Sequence, residues 1–253
     1  MTATVVDICR YPVKGLNAEH LERVRLVPGE GLPHDRRFAI AHGSTRFDAE
    51  RPQWLPKTSF LMLMRDEKLA QLRAEFDAQS GTLTISRAGK PVVRAKATEA
   101  LGRTLISQFF AGFMGGSSRG APKLLEARGH TFCDSRDRVV SLINLASLRD
   151  LERVVRRRVH PLRFRANFYL EDAAAWAELD WSGKEIGLGG ARLRVAGPID
   201  RCAATNVNPD TAERDMNIPL TLQRGFGHVN MGLYAQVVAG GEVVKGDSLS
   251  APA

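Results

Sequence analysis

The sequence predicts a mainly β protein with helical insertions, an α+β fold class built on β-barrel units. Short alternating or β-branched stretches recur along the chain, each closed by Gly, Pro or Asn turn signals. Helical spacing is confined to a few stretches. At 253 residues, 43% hydrophobic and 25% charged, the chain is ordinary for a globular protein and long enough for one large or two small domains.

Residues 4–8 read as the first strand, followed by the turn-forming Tyr11-Pro12-Val13-Lys14-Gly15. Residues 21–27 alternate charged and apolar positions until Pro28-Gly29-Glu30-Gly31 breaks them. Residues 37–41 make another strand, closed by His42-Gly43, and 82–86 with 92–94 flank the Gly89-Lys90 turn as a hairpin. Leu69, Leu72 and Phe76 fall on one helical face.

From 99 to 113 the period is helical, with Leu101, Leu105, Phe109 and Phe113, joined by Ile106 and Phe110, as the apolar stripe. The Gly- and Ser-rich stretch 115–122 ends it and marks the boundary between a first domain, 1–115, and a second, 121–253. Residues 139–143 read as a strand, and Asn144-Leu145-Ala146-Ser147 opens a helix with Leu148, Leu151, Val155 and Val159 on one side. The run Arg156-Arg157-Arg158 belongs to that helix as a solvated face. Residues 164–170, 192–196 and 234–238 read as strands, the last pairing with 242–244 across Gly240-Gly241.

No apolar run is long enough to span a bilayer, and the N-terminus acquires a charge too early for a secretory signal, so the expected location is cytoplasmic with no membrane partner. Three scattered cysteines make no disulfide framework, and the six histidines show no zinc-like spacing. The net charge of +8, carried mostly by arginine, points to an anionic ligand, because the guanidinium fork matches phosphate and carboxylate. Neither an RNA-binding aromatic signature nor a DNA-reading motif accompanies it, so nucleic acid is not the expected partner.

The functional argument centres on Arg201-Cys202, placed just past an alternating run and before the Asn208-Pro209-Asp210 turn. A neighbouring guanidinium lowers the cost of ionising sulfur, and such a cysteine serves as a nucleophile or a soft metal ligand. The ordinary alternative is a small buried apolar residue, which spacing alone favours. Gly116-Ser117-Ser118-Arg119-Gly120 matches the nucleophile-elbow pattern, but a helix precedes it and Ala121-Pro122 follows, so it reads as a linker. Ser147 near its helix start is a cap or an anion seat. Asp134 or Ser135, after His130-Thr131-Phe132-Cys133, reads as a turn former. Lys14, Arg36, Arg37 and Arg165 sit near strand ends; singly they are surface charges, and together they would hold a multiply anionic ligand.

In order, Tyr11-Pro12-Val13-Lys14-Gly15, Asp35-Arg36-Arg37-Phe38, Phe132-Cys133-Asp134, Ala146-Ser147-Leu148, Arg165-Ala166-Asn167, the Cys202 stretch and Gly246-Asp247 resemble the MOSC family. Within it, they resemble the two-part members related to amidoxime-reducing components and YcbX-type proteins. The resemblance implies a MOSC-type β-barrel with an N-terminal β-barrel subdomain, binding the molybdenum cofactor (molybdopterin). It implies Cys202 as the molybdenum ligand and catalytic residue. Lys14, Arg36, Ser147 and Arg165 would hold the pterin and its phosphate, with Asn167 and Asp210 lining the site. Strand alternation sends Arg36 and Arg37 to opposite faces, and Arg36 is taken as the contact.

The implied activity is that of an oxidoreductase reducing N-hydroxylated or N-oxide small molecules. No ferredoxin-like domain follows, so electrons would come from a separate protein, a ferredoxin- or cytochrome b5-like system. The alternative is a carrier of molybdenum cofactor or sulfur without turnover of its own.

Overall fold

The computed structural model describes residues 2–250. In chain order its strands and helices are β1 (Thr2–Arg10), β2 (Glu19–Leu21), β3 (Arg23–Leu26), β4 (Phe38–Ala41), β5 (Leu72–Asp77), β6 (Thr82–Arg87), β7 (Lys90–Lys96), α1 (Ala100–Met114), β8 (Lys123–Glu126), β9 (Val140–Asn144), α2 (Leu145–Val155), β10 (Phe168–Glu171), β11 (Glu185–Leu188), β12 (Ala191–Asp200), α3 (Ile218–Phe226), β13 (Asn230–Ala239), β14 (Gly241–Val244) and β15 (Ser248–Ser250). The fold is mostly β, as the sequence predicts.

Seven strands close a barrel in the order β10-β9-β13-β12-β11-β15-β1, with β1 returning to β10 and β2 appended to its edge. The first strand of the chain therefore completes a barrel built otherwise from its second half. Alternation explains the interior: Leu193 and Val195 of β12 and Leu233, Ala235 and Val237 of β13 point inward, while Arg192 and Arg194 point out. β9 and β10 run parallel, a pairing that a tight turn cannot make, and α2 supplies the crossover. α2 and α3 cover the barrel's outside through a second core that includes Leu148, Leu151, Phe164, Ile218 and Leu222.

The N-terminal unit holds the antiparallel sheet β5-β6-β7, the β4-β8 pair and α1 around a core of Phe38, Ile40, Leu72, Phe76, Leu83, Ile85, Ile106 and Phe110. The β6-β7 hairpin forms as expected, but its turn is Ala88-Gly89, one residue earlier than Gly89-Lys90, and Lys90 opens β7. Of the helical face proposed for Leu69, Leu72 and Phe76, Leu69 lies in a 3-10 turn, Glu67–Gln71, and Leu72 and Phe76 lie in strand β5. A spacing of four satisfies both periods, and Ala74 completes the inward set Leu72, Ala74, Phe76.

Four further expectations change. The buried line of α1 is Gly102, Ile106, Phe110 and Met114, whereas Leu101 is 71% exposed. A Cβ at Gly102 would lie 2.0 Å from the Lys96 carbonyl oxygen, so the bare Cα lets this face press inward. α2 stops at Val155 with Arg156 left-handed at the cap, so the triple-arginine run lies beyond the helix, where Arg158 pairs with Glu152 and Arg157 with Asp215. Residues 164–170 do not form one strand: a 3-10 turn, Pro161–Phe164, and a left-handed Arg165 precede β10. β14 pairs with β3 rather than folding back on β13, and the Gly190 amide donates to the Glu242 carbonyl at 2.9 Å as the two glycine turns pass each other. Among the described residues no helix is long and apolar enough to cross a membrane.

Candidate functional site

Two segments of the N-terminal unit lock together at one end of the barrel. The Tyr11 amide donates to the Asp35 carboxylate at 2.8 Å, the Arg36 amide to the Tyr11 carbonyl at 2.7 Å and the Lys14 amide to the Phe38 carbonyl at 2.8 Å. Arg36 takes the left-handed conformation (φ 48°), which turns its guanidinium away from that of Arg37. Arg36 pairs with Asp35 and donates to the Arg165 carbonyl at 2.7 Å, whereas Arg37 pairs with Glu126 at 2.6 Å. Lys14, buried, donates to the Phe132 carbonyl at 2.8 Å and pairs with Asp134. Burial works to raise the Asp134 pKa, but Lys14 outweighs it and holds the carboxyl below its ordinary range.

Cys202 stands on a turn whose carbonyls are held by arginines. β12 ends at Asp200, and Cys202, in extended conformation, precedes the 3-10 turn Ala203–Asn206. The Thr205 amide and hydroxyl donate to the Cys202 carbonyl at 3.1 and 2.9 Å. Arg163 donates to the Thr205 and Asn206 carbonyls at 3.3 and 3.0 Å and pairs with Asp215 at 2.6 Å. Arg214 donates to the Ala203 carbonyl at 3.2 Å and to those of Leu63 and Met64 at 2.9 Å, fastening the turn to the N-terminal unit. Arg201 donates to the Met231 and Phe164 carbonyls at 2.8 and 2.9 Å. It passes close to Gly232, where a Cβ would meet its guanidinium at 3.3 Å and the Leu142 carbonyl oxygen at 2.2 Å.

Between these parts lies a cavity of about 410 Å³ lined by Lys14, Arg36, Arg165, Asn167 and Cys202. Five of the residues selected from the sequence thus converge on one space. Lys57, Arg163 and Arg201 also line it, against the carboxylates Asp134 and Asp200, so the site is cationic. Among the described residues, three of these cations, Lys57, Arg165 and Arg201, have no ion-pair partner. Arg165 donates to the Leu16 carbonyl while its Nη2, buried, has no partner. Burial lowers the pKa of Arg165 and Arg201 to about 10, with Arg36 adding to the effect on Arg165. Arg36 moves upward: burial pulls it down, but the Asp35 carboxylate more than offsets that.

Asn167 lines the cavity with its amide committed. Its Oδ1 accepts from the Ser141 amide and hydroxyl at 3.0 Å, and its Nδ2 donates to the Cys9 carbonyl at 3.1 Å, stitching β1 to β9. Ser147 is elsewhere, fully buried, with its hydroxyl donating to Glu178 at 2.8 Å and accepting from the Trp176 amide at 2.8 Å. The cap of α2 is Asn144, whose side chain accepts from the Ala146 amide. Asp210 is exposed, near His160 at 3.5 Å and Arg73 at 3.9 Å, and borders a neighbouring cavity instead.

The sequence reading missed Arg163, Cys133 and Tyr234 as lining residues, and it took Arg201 for a partner of sulfur rather than a brace for carbonyls. Arg163-Phe164-Arg165 was the available signal for the first. Burial pushes the Tyr234 hydroxyl up to about 12, so it is a proton-bearing donor at neutral pH. A soft thiol beside buried, unneutralised guanidinium groups suits a ligand that joins a thiophilic metal to an anion.

The profile of the MOSC N-terminal beta barrel domain matches residues 2–115, and that of the MOSC domain matches residues 125–250. The mitochondrial amidoxime-reducing component 1 of Mus musculus is 32% identical over 85 residues, 34% of this chain and 24% of that protein. A molybdenum cofactor sulfurase of Drosophila erecta is 31% identical over 121 residues, 44% of this chain and 15% of that protein. The matched region is therefore a quarter or less of either relative's length. A crystal structure of the YUAD protein from Bacillus subtilis aligns over 98% of this chain and 94% of that one, with a TM-score of 0.44 and 15% identity. With both profiles matched in order along nearly its whole length, the chain belongs to the MOSC family.

Proposed function

We propose that this protein binds the molybdenum cofactor in the Cys202 cavity and is a reductase of N-hydroxylated or N-oxide small molecules. The carrying observation is that Cys202 shares one cavity with Arg165, whose buried Nη2 has no partner in the protein. A buried donor without an acceptor is costly, and a ligand phosphate or pterin oxygen would satisfy it. The name of one relative, a molybdenum cofactor sulfurase, agrees with that ligand, and that of the other, an amidoxime-reducing component, with the substrate class.

The residues fit the group. Cys202 offers the soft donor, on a turn braced by Arg163, Arg201 and Arg214, so its sulfur is positioned before any metal arrives. Lys14, Arg36 and Arg165 would hold the pterin and phosphate, and Asn167 keeps the strand ends beneath them in register. Ser147 and Asp210 fall outside this reading, the first because its hydroxyl is committed to Glu178, the second because it faces another cavity. When bound, the cofactor supplies two-electron redox chemistry. The Tyr234 hydroxyl, protonated at neutral pH, can donate a hydrogen bond to a substrate oxygen in the cavity. In this reading the protein works in the cytoplasm, and a separate ferredoxin- or cytochrome b5-like protein delivers the electrons.

The test is reduction of an amidoxime by metal-loaded protein with an artificial electron donor. Turnover in the wild type that is lost in Cys202→Ser supports the proposal. Full metal loading without turnover contradicts the reductase and leaves a cofactor carrier, which transfer of the bound group to an apo-enzyme would reveal.

A further inference from the structure

Outside the residues that line the cavity, where Cys9 is hydrogen-bonded through its backbone to Asn167, three ligand-type side chains meet. Asp7 and Cys9 are two residues apart on β1 and share a face, and His20 on β2 is the cross-strand partner of Cys9. Cys9 Sγ lies 3.6 Å from His20 Nδ1 and 3.4 Å from Asp7 Oδ2, and His20 Nδ1 lies 2.9 Å from Asp7 Oδ2. A tetrahedral zinc(II) ion with bonds of about 2.3 Å to sulfur and 2.0 Å to nitrogen and oxygen separates its ligand atoms by roughly 3.3–3.6 Å. The triangle already present matches those edges to within a few tenths of an ångström. The three ligand atoms all lie within 4.8 Å of one another.

We propose that Asp7, Cys9 and His20 form a divalent-metal site, taking zinc(II) through one carboxylate oxygen, the thiolate and imidazole Nδ1, with water in the fourth position. The set of one sulfur, one nitrogen and one oxygen suits zinc over the hard cations magnesium and calcium. The backbone holds the geometry: the three Cα positions belong to paired strands, and the Cys9 amide and carbonyl are both hydrogen-bonded to Asn167. His20 is exposed, and Asp7 and His20 border a small surface cavity with Val6 and Leu145, which gives the ion a path in. Binding releases the thiol proton to solvent and takes His20 as the tautomer protonated at Nε2, so the hydrogen bonds that Asp7 now accepts from the thiol and from Nδ1 give way to bonds to the metal. Without a metal the thiol is a poor nucleophile, since burial and then the Asp7 carboxylate push its pKa up, so a catalytic Cys-His-Asp reading has less support.

The site has a structural consequence. The strands that carry it are joined by the segment holding Lys14 and Leu16, whose base is already closed by the Arg10–Glu19 pair at 2.6 Å. A metal bridging Cys9 and His20 is a second clip on that segment.

The experiment is a cobalt(II) titration of the reduced full-length protein, read by thiolate-to-cobalt charge-transfer and tetrahedral ligand-field absorption, with zinc(II) as competitor. The expected result is one cobalt per chain, displaced by zinc. The signal stays in Cys202→Ser, which removes the cavity thiol, and binding weakens at least about tenfold in His20→Gln. His20 is exposed, so that variant folds even if Cys9→Ser does not. No thiolate absorption, unchanged affinity in His20→Gln, or loss of the signal in Cys202→Ser would each overturn the proposal. None of these readouts depends on molybdenum or on reductase activity.

Discussion

The Arg36 guanidinium donates to the backbone carbonyl of Arg165 at 2.7 Å, and both guanidinium groups lie over the same Tyr11 ring, each with its carbon 4.4 Å from the centroid. Two like charges on one ring repel, and Asp35 neutralises only the first. Both residues are also left-handed, at φ 48° and 53°, a conformation that costs free energy for a side chain of this size. The protein tolerates this arrangement at its cationic cavity and nowhere else pairs two arginines in this way among the described residues.

Arg165 is therefore expected to trade stability for binding. Arg165→Met removes a buried charge with no counter-ion, so the cofactor-free variant should melt at or above the wild-type temperature. Molybdenum retention should fall at least about tenfold, as for loss of a charged hydrogen bond to a buried anion. Thermal melting and metal analysis of the same preparation check both halves.

Glu178 sets a pH dependence far from the cavity. Burial raises its pKa, while the donors Asn144 and Ser147 act the other way. Folding thus favours the protonated form, and the wild type should lose stability as pH rises above the ordinary glutamate value of about 4.3, until the raised pKa is passed. Glu178→Gln cannot ionise. Its stability relative to wild type should grow through that window by up to about 1.4 kcal/mol per pH unit, then level off. Urea unfolding between pH 4 and pH 7 measures the difference.

Two glycines should respond in opposite directions. Gly232, at φ 75° with Leu142 and Arg201 against its Cα, leaves no room for a methyl group, so Gly232→Ala should cost at least about 2 kcal/mol. Gly112 on α1 is exposed with open space around it, and Gly112→Ala should gain about 0.5–1 kcal/mol. Denaturant midpoints of the two variants provide the comparison.

Much of this was legible in the chain because strand alternation is a local signal. Leu193 and Val195 point inward as their spacing requires, and the hairpin forms around Gly89, with its turn one residue earlier. What failed depended on distant contacts. Leu72 and Phe76 fit either period until Ala74 is seen to be buried between them, and the inward face of α1 is decided by the approach of Gly102 to Lys96. At the site, residue type alone left Cys202 an ordinary buried residue and Lys14 and Arg165 surface charges; the order of motifs that resembles the MOSC family singled them out, and all three line one cavity. The commitment of Ser147 to Glu178, 31 positions away, and the bracing of the Cys202 turn by Arg163 carry no local signature.

The proposal that molybdenum rests on Cys202, in the cavity it shares with Lys14, Arg36 and Arg165, turns on one sulfur atom. It is tested most directly by elemental analysis of wild type and Cys202→Ser purified from a host that makes the cofactor. Close to one molybdenum per chain is expected in the wild type and almost none in the variant, with both folded. Equal molybdenum in the two, or none in either from a host shown to load other molybdenum proteins, would contradict it.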